Sequence, residues 1–193
     1  MLTVIPFKAE GKSRLPEDLR REVALAMLGD VVEVALAVGD VRVVTDDPAG
    51  RLVAGDLGAR LVDDPGGGQS EAVATGLAGA SGLCLVVNAD VPRVRPSDLN
   101  ALAVPALLGR LGIVEAADGT TNALGLPRAE LFAPLYGAGS AGRFREHAAG
   151  LGIDAEIVAL ENLVGDVDTL ADLVRFGSHA GARTAELVEA IAL

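Results

Sequence analysis

The sequence predicts an α/β fold: three layers, with a mostly parallel sheet covered by helices on both faces. Two observations carry this. Short runs of Val, Ile and Leu alternate with segments of helical period from one end of the 193-residue chain to the other. The run Leu83-Cys-Leu-Val-Val87 has no polar alternation, the pattern of a strand buried on both faces in the middle of such a sheet.

Taken in order, Leu2 to Phe7 reads as the first strand. Pro16 suits the first turn of a helix whose apolar residues, from Leu19 to Val34, keep helical spacing with a break near Gly29. Val41 to Thr45 is a second strand, Leu52 to Leu57 a short helix and Ala59 to Val62 a third strand. Asp64 to Gly68 is a loop, and Glu71 to Leu77 a helix before the central strand. Ser97 is placed to cap a helix running to about Leu108, with a strand at Leu111 to Glu115. Gly119 to Asn122 reads as a turn, followed by an apolar stretch to Leu126. Arg143 to Gly150 is helical and Ala155 to Leu160 strand-like. Asp166 to Thr169 opens a loop before the helix of Leu170 to Val174, and Ala182 to Leu193 is an amphipathic helix. No linker or repeat interrupts the pattern, so residues 1–193 are expected to form one domain.

Half the residues are hydrophobic but only 3% aromatic, so the core must be aliphatic. No apolar run approaches the ~20 residues of a membrane span, and residues 1–7 lack the marks of a signal peptide. The lone Cys84 sits in the central strand, which excludes an internal disulfide. A soluble cytoplasmic protein is expected, away from membranes. The formal charge of −11 argues against a nucleic-acid surface but leaves room for a small phosphorylated ligand held by a few local cations.

Those cations are concentrated. The two lysines of the chain, Lys8 and Lys12, share with Arg14 the loop after the first strand. That is a cradle for a triphosphate at the carboxyl end of a sheet strand, where Gly11 lets the backbone come close. A merely solvated basic loop would look the same, but the confinement of lysine to this place favours the cradle. Gly11-Lys12-Ser13 also invites a P-loop reading. Pro6 stands where that motif needs its first glycine, and Pro16 disturbs the helix that should begin at the serine. Gly68 of the glycine loop and Asn88 at the end of the central strand join the candidate nucleotide contacts.

Asp90 lies just past the carboxyl end of the central strand, where open α/β sheets bind ligands, and a carboxylate there suits Mg2+. A plain turn before Pro92 would place it equally well. Asp166 and Asp168 form an Asp-x-Asp pair that would complete the coordination of one or two ions. Thr169 with Asp172 reads as a capping box, which leaves that acidic pair unexplained.

VIPFKAEGKSRL, VVNADVP, GTTNALGLP, YGAGS and DVDTLADL, in that order and across essentially the whole chain, resemble the 2-phospho-L-lactate guanylyltransferase family, whose members also include phosphoenolpyruvate guanylyltransferases. The resemblance implies a Rossmann-like nucleotidyltransferase fold of GT-A type. It also implies transfer of GMP from GTP to a small phosphorylated carboxylic acid, with release of pyrophosphate, in the biosynthesis of coenzyme F-420. By the same resemblance Lys8, Lys12 and Arg14 face the GTP phosphates. Asp90 is a Mg2+ ligand together with Asp166 or Asp168. Thr121, Gly137 and Ser140 hold the acceptor's carboxylate, largely through backbone N–H groups. Gly137 to Ser140, ahead of a helix, independently suits an anion site. Two departures stand out: Ser70-Glu71 replaces the family's Leu-Asn pair near the base pocket, and His147 lies further from Ser140 than the family's histidine. Other nucleotidyltransferases of this architecture, a P-loop kinase and a non-catalytic nucleotide-binding protein are the competing readings, and a homodimer stays open.

Overall fold

The computed structural model describes residues 1–9, 15–177 and 179–191. Its strands form one seven-stranded sheet in the order β3-β2-β1-β4-β6-β5-β7. These are β1 Leu2–Pro6, β2 Asp40–Val44, β3 Arg60–Val62, β4 Cys84–Val87, β5 Leu111–Glu115, β6 Thr121–Leu126 and β7 Ala155–Ile157. β4 is the middle strand, and all four of its residues are buried. β6 runs antiparallel to both β4 and β5, and every other pairing is parallel.

The reversal of β6 has a local cause. β5 and β6 are joined by a tight turn closed by Gly119 N–H to Ala116 O and Ala116 N–H to Thr120 O, with Gly119 at φ +81°. A connection this short permits only an antiparallel pair. The expected turn at Gly119 to Asn122 is therefore shifted: it ends by Thr120, and Thr121 and Asn122 already belong to the strand.

Helices cover both faces. On one side α1 Glu17–Leu36, α2 Pro48–Asp56, α4 Pro96–Leu107 and α6 Glu161–Val164 close a core around Ile5, Val43, Leu85, Val87 and Val114. On the other, α3 Gln69–Leu77 and α5 Ser140–Gly150 cover Val4, Val44, Val86, Ile113 and Leu124. Neighbours such as Val4 and Ile5, or Leu85 and Val86, face opposite cores, as a pleated strand requires. α7 Leu170–Gly177 and α8 Ala182–Ile191 build a smaller third core with the outer side of α1, around Met27, Val167 and Leu173.

Three local expectations fail for identifiable reasons. α1 is continuous through Gly29. A side chain there would meet Arg183 Cδ at 2.6 Å, so glycine permits α8 to approach rather than breaking the helix. α4 begins at Pro96 rather than behind Ser97: Asp98 Oδ2 accepts from Arg95 N–H at 2.8 Å, so the carboxylate one turn in does the capping. β7 stops at Ile157, and the next turn coils into α6. Among the described residues no helix is long and apolar enough to cross a membrane.

Candidate active site

β4 ends at Val87, and the chain turns through Asn88, Ala89 and Asp90 before Pro92. The C-terminal segment folds back onto this turn through backbone bonds. Val167 N–H donates to Asp90 O at 3.0 Å, and Gly181 N–H to Pro92 O at 2.8 Å. Arg95 donates to His179 O at 2.8 Å and Arg93 to Glu161 O at 2.7 Å. Asn122, on β6 and buried, donates to Leu163 O at 2.8 Å and so pins the end of α6 against the sheet.

This docking brings Asp90, Asp166 and Asp168 together. One carboxylate oxygen from each lies within 4.8 Å of the other two. Three half-buried carboxylates at that spacing repel one another unless a cation sits among them, and an all-oxygen donor set suits a hard divalent ion. Both members of the Asp-x-Asp pair reach the cluster. The capping box at Thr169 is also present: Asp172 Oδ2 accepts the Thr169 hydroxyl at 2.7 Å and its N–H at 2.9 Å. Partial burial alone would raise the Asp172 carboxyl pKa; these bonds, the Asp168 N–H and the charge of Arg175 more than offset it and leave it lowered.

The cluster divides two cavities, and Asp168 lines both. The first, about 330 Å³, is walled by Lys8, Asp64, Gly68, Gln69, Asn88 and Asp90, with Met27 and Ala72 as apolar floor. Gly68, at φ +91°, is the residue before α3 and adopts a backbone conformation that favours glycine. Asn88 accepts from Gln69 Nε2 at 2.7 Å and donates to Thr121 O and Asn122 Oδ1, both at 3.3 Å. Its amide therefore shapes the wall. The second cavity, about 740 Å³, is bounded by Arg93, Asp118, Glu161, Asp166, Arg175 and Phe176.

Asp64 was not singled out by the sequence. Its side chain is 1% exposed, and its Oδ2 forms an ion pair with Lys8 Nζ at 3.4 Å. Oδ1 accepts from Gly66 N–H at 2.9 Å. Gln69, Asn122 and Arg93 were missed as well. A lone Asp in a glycine loop or a lone Asn in a strand carries no signal until its neighbours are known.

Thr121, Gly137 and Ser140 form a separate unit behind Asn88. Ser140 Oγ donates to Thr121 Oγ1 at 3.0 Å with both residues buried, so the two hydroxyls satisfy one another. Ser140 N–H bonds Gly137 O at 3.0 Å, and Arg143 folds back onto the carbonyls of Leu135 and Tyr136. Lys8 is at the mouth of the first cavity; Gly11, Lys12 and Arg14 lie outside the described residues. His147 is a residue of α5 in contact with Leu131 O at 3.1 Å.

Residues 22–149 match the MobA-like NTP transferase domain family. The chain is 34% identical over 203 residues to the phosphoenolpyruvate guanylyltransferase of Streptomyces scabiei (strain 87.22), with 94% of this chain and 93% of that protein aligned. Among solved structures, a candidate nucleotide-diphospho-sugar transferase from Desulfovibrio desulfuricans G20 superposes with a TM-score of 0.80 at 16% identity, covering 99% of this chain and 95% of that one. Glucosyl-3-phosphoglycerate synthase from Mycobacterium tuberculosis, solved with Mg2+ and uridine diphosphate, superposes with a TM-score of 0.62 at 16% identity, covering 98% of this chain and 77% of its own. The structural likenesses speak for the fold, a GT-A-type α/β sheet. The sequence matches speak for descent: the chain belongs to the MobA-like NTP transferases, in the phosphoenolpyruvate guanylyltransferase family, and is a nucleotidyltransferase.

Proposed function

We propose that residues 1–193 form a single cytoplasmic nucleotidyltransferase domain. It transfers GMP from GTP to a small phosphorylated carboxylic acid, phosphoenolpyruvate or 2-phospho-L-lactate, in the biosynthesis of coenzyme F-420. The observation that carries this reading is the carboxylate cluster standing between two cavities. A transfer reaction needs donor and acceptor on opposite sides of the reacting phosphorus. The Streptomyces scabiei relative, a phosphoenolpyruvate guanylyltransferase, supports guanylyl transfer to the same class of acceptor.

The acceptor's phosphate oxygen attacks the α-phosphorus of GTP, a new P–O–P bridge forms, and pyrophosphate leaves with the electron pair of the broken bond. That phosphate is already largely ionised at neutral pH, so no protein base is required. Positioning and charge neutralisation are what the protein supplies. Asp90, Asp166 and Asp168 would hold Mg2+, which supplies charge neutralisation at the phosphates when bound. In this reading Lys8, Lys12 and Arg14 neutralise the leaving pyrophosphate. Gly68 and Asn88 shape the nucleotide wall, and the Thr121, Gly137 and Ser140 backbone receives the acceptor's carboxylate. Asp64 holds Lys8 at the mouth of the first cavity, its buried Oδ2 3.4 Å from Lys8 Nζ, and so orients that lysine for the phosphates.

The decisive experiment incubates GTP and Mg2+ with phosphoenolpyruvate, 2-phospho-L-lactate and 3-phosphoglycerate in turn and identifies products by mass. The expected outcome is the acceptor plus GMP, with pyrophosphate. Formation of GDP and a phosphorylated acceptor would replace this reading with a kinase. GTP binding without any product would make the protein a nucleotide-binding module.

A further inference from the structure

Three side-chain amides stand in line behind the carboxylate cluster. Asn122 Nδ2 donates to Leu163 O at 2.8 Å and to Val164 O at 3.3 Å. A carbonyl only accepts, so these bonds fix which way the amide faces and turn its Oδ1 to Asn88. Asn88 Nδ2 donates to that Oδ1 and to Thr121 O, both at 3.3 Å. Asn88 Oδ1 in turn accepts from Gln69 Nε2 at 2.7 Å. Donation thus runs one way, from Gln69 on the wall of the first cavity to the carbonyls at the end of α6.

Asn122 is the junction of this line. It is 2% exposed, and its amide bonds both arms of the cluster. On one side Asn88 lies two residues before Asp90; on the other Val164 lies two residues before Asp166. Arg93 and Asn162 act further back, at the start of α6, and Val167 N–H meets Asp90 O beyond Asp166. We propose that Asn122 is a positioning residue for the metal: by bonding the β4 turn and the end of α6 at once, it sets the separation of Asp90 from Asp166 and Asp168. This rests on the reading of the cluster as a divalent-cation site. The place requires a carboxamide, which accepts on one side and donates twice on the other. Asp would present no hydrogen to the α6 carbonyls, and Leu neither donor nor acceptor. Groups that orient metal ligands from behind change metal affinity without touching the ion.

The test titrates Mn2+ alone, without nucleotide, into the wild type, Asn122→Leu and Asn88→Ala, and reads the bound ion by electron paramagnetic resonance. GTP binding is measured separately with the metal chelated. Mn2+ affinity is expected to fall about tenfold or more in Asn122→Leu, while its metal-free GTP affinity changes by less than about twofold. General loosening of the fold would weaken both together. Asn88→Ala keeps the α6 bonds and removes only the partner of Asn122 Oδ1, so the expected fall is smaller, about threefold. Unchanged Mn2+ affinity in Asn122→Leu, or in Asn88→Ala should the first variant not fold, overturns the positioning role. A wild type that binds no Mn2+ overturns the cation-site reading, and the proposal with it. Mn2+ affinity that depends on Asn122 in a protein releasing no pyrophosphate from GTP overturns guanylyl transfer instead and leaves the positioning role in place.

Discussion

Asp90 shows how much a single residue rests on its surroundings. Its place at the end of a fully apolar strand before a proline was legible in the sequence, and so was the acidity of Asp166 and Asp168. What brings them together is the docking of the C-terminal segment on the β4 turn. Asp90→Asn keeps the shape and removes one charge from the cluster. Turnover is expected to fall by about 100-fold or more, the ~3 kcal/mol that one metal-facing charge is worth in a transfer step, with an unaltered circular dichroism spectrum. Retained pyrophosphate release would take Asp90 out of the cluster's chemistry. Asp64 is the opposite case, hidden because its burial comes from Lys8 and the first cavity rather than from its own loop. Asp64→Asn removes the charge beside Lys8 Nζ. The KM for GTP is expected to rise about two- to fivefold, the worth of a partly exposed ion pair, with the GTP-over-ATP preference unchanged. A preference that narrows instead would place Asp64 at the base.

At the scale of elements, period and punctuation located six of the seven strands: β1, β2, β4 and β5 bury aliphatic side chains, while the partly exposed edge strands β3 and β7 are short runs between helical segments. They did not give the direction of β6. The alternation of strand and helix implies parallel pairing, and the tight turn ending at Thr120 overrides it. Nor could they show what the middle of α1 does. Asp30 is buried there, and its two oxygens accept Arg183 N–H at 3.0 Å and Thr184 N–H at 2.9 Å, capping α8 from another helix. A side chain at Gly181 would come within 2.3 Å of Asp30 Cγ, so the glycine is part of the same clasp. Asp30→Ala orphans the first turn of α8 and is expected to cost about 2–3 kcal/mol. That corresponds to a fall in Tm of roughly 5–10 °C by calorimetry. A fall of under about 1 °C would mean that α8 is held by the Leu187 and Val188 contacts alone.

For the whole molecule, the order of the chain matters more than any one contact. The candidate nucleotide loop follows the first strand, the first ligand of the cluster follows the fourth, and the remaining ligands arrive in a segment tied to the sheet end by Asn122, Asp90, Pro92, Arg93 and Arg95. The site is thus completed by an attachment rather than lying within one element, so it exists only while the segment carrying Asp166 and Asp168 stays docked on the β4 turn. A ligand that needs Asp90 and Asp168 at once binds only the attached form and stabilises it by mass action. Mg2+ with GTP at 100 times its Kd should add about 2.7 kcal/mol, a rise in Tm of roughly 5–10 °C at this chain length. Chelation of the metal should reverse most of it, because the carboxylates would then repel the phosphates they face. The same addition to Asp90→Asn should raise Tm by only about a quarter as much, since one bridge between the turn and the segment is missing. A full shift in that variant would show that the nucleotide is held by the loop after β1 alone, with the C-terminal segment a bystander.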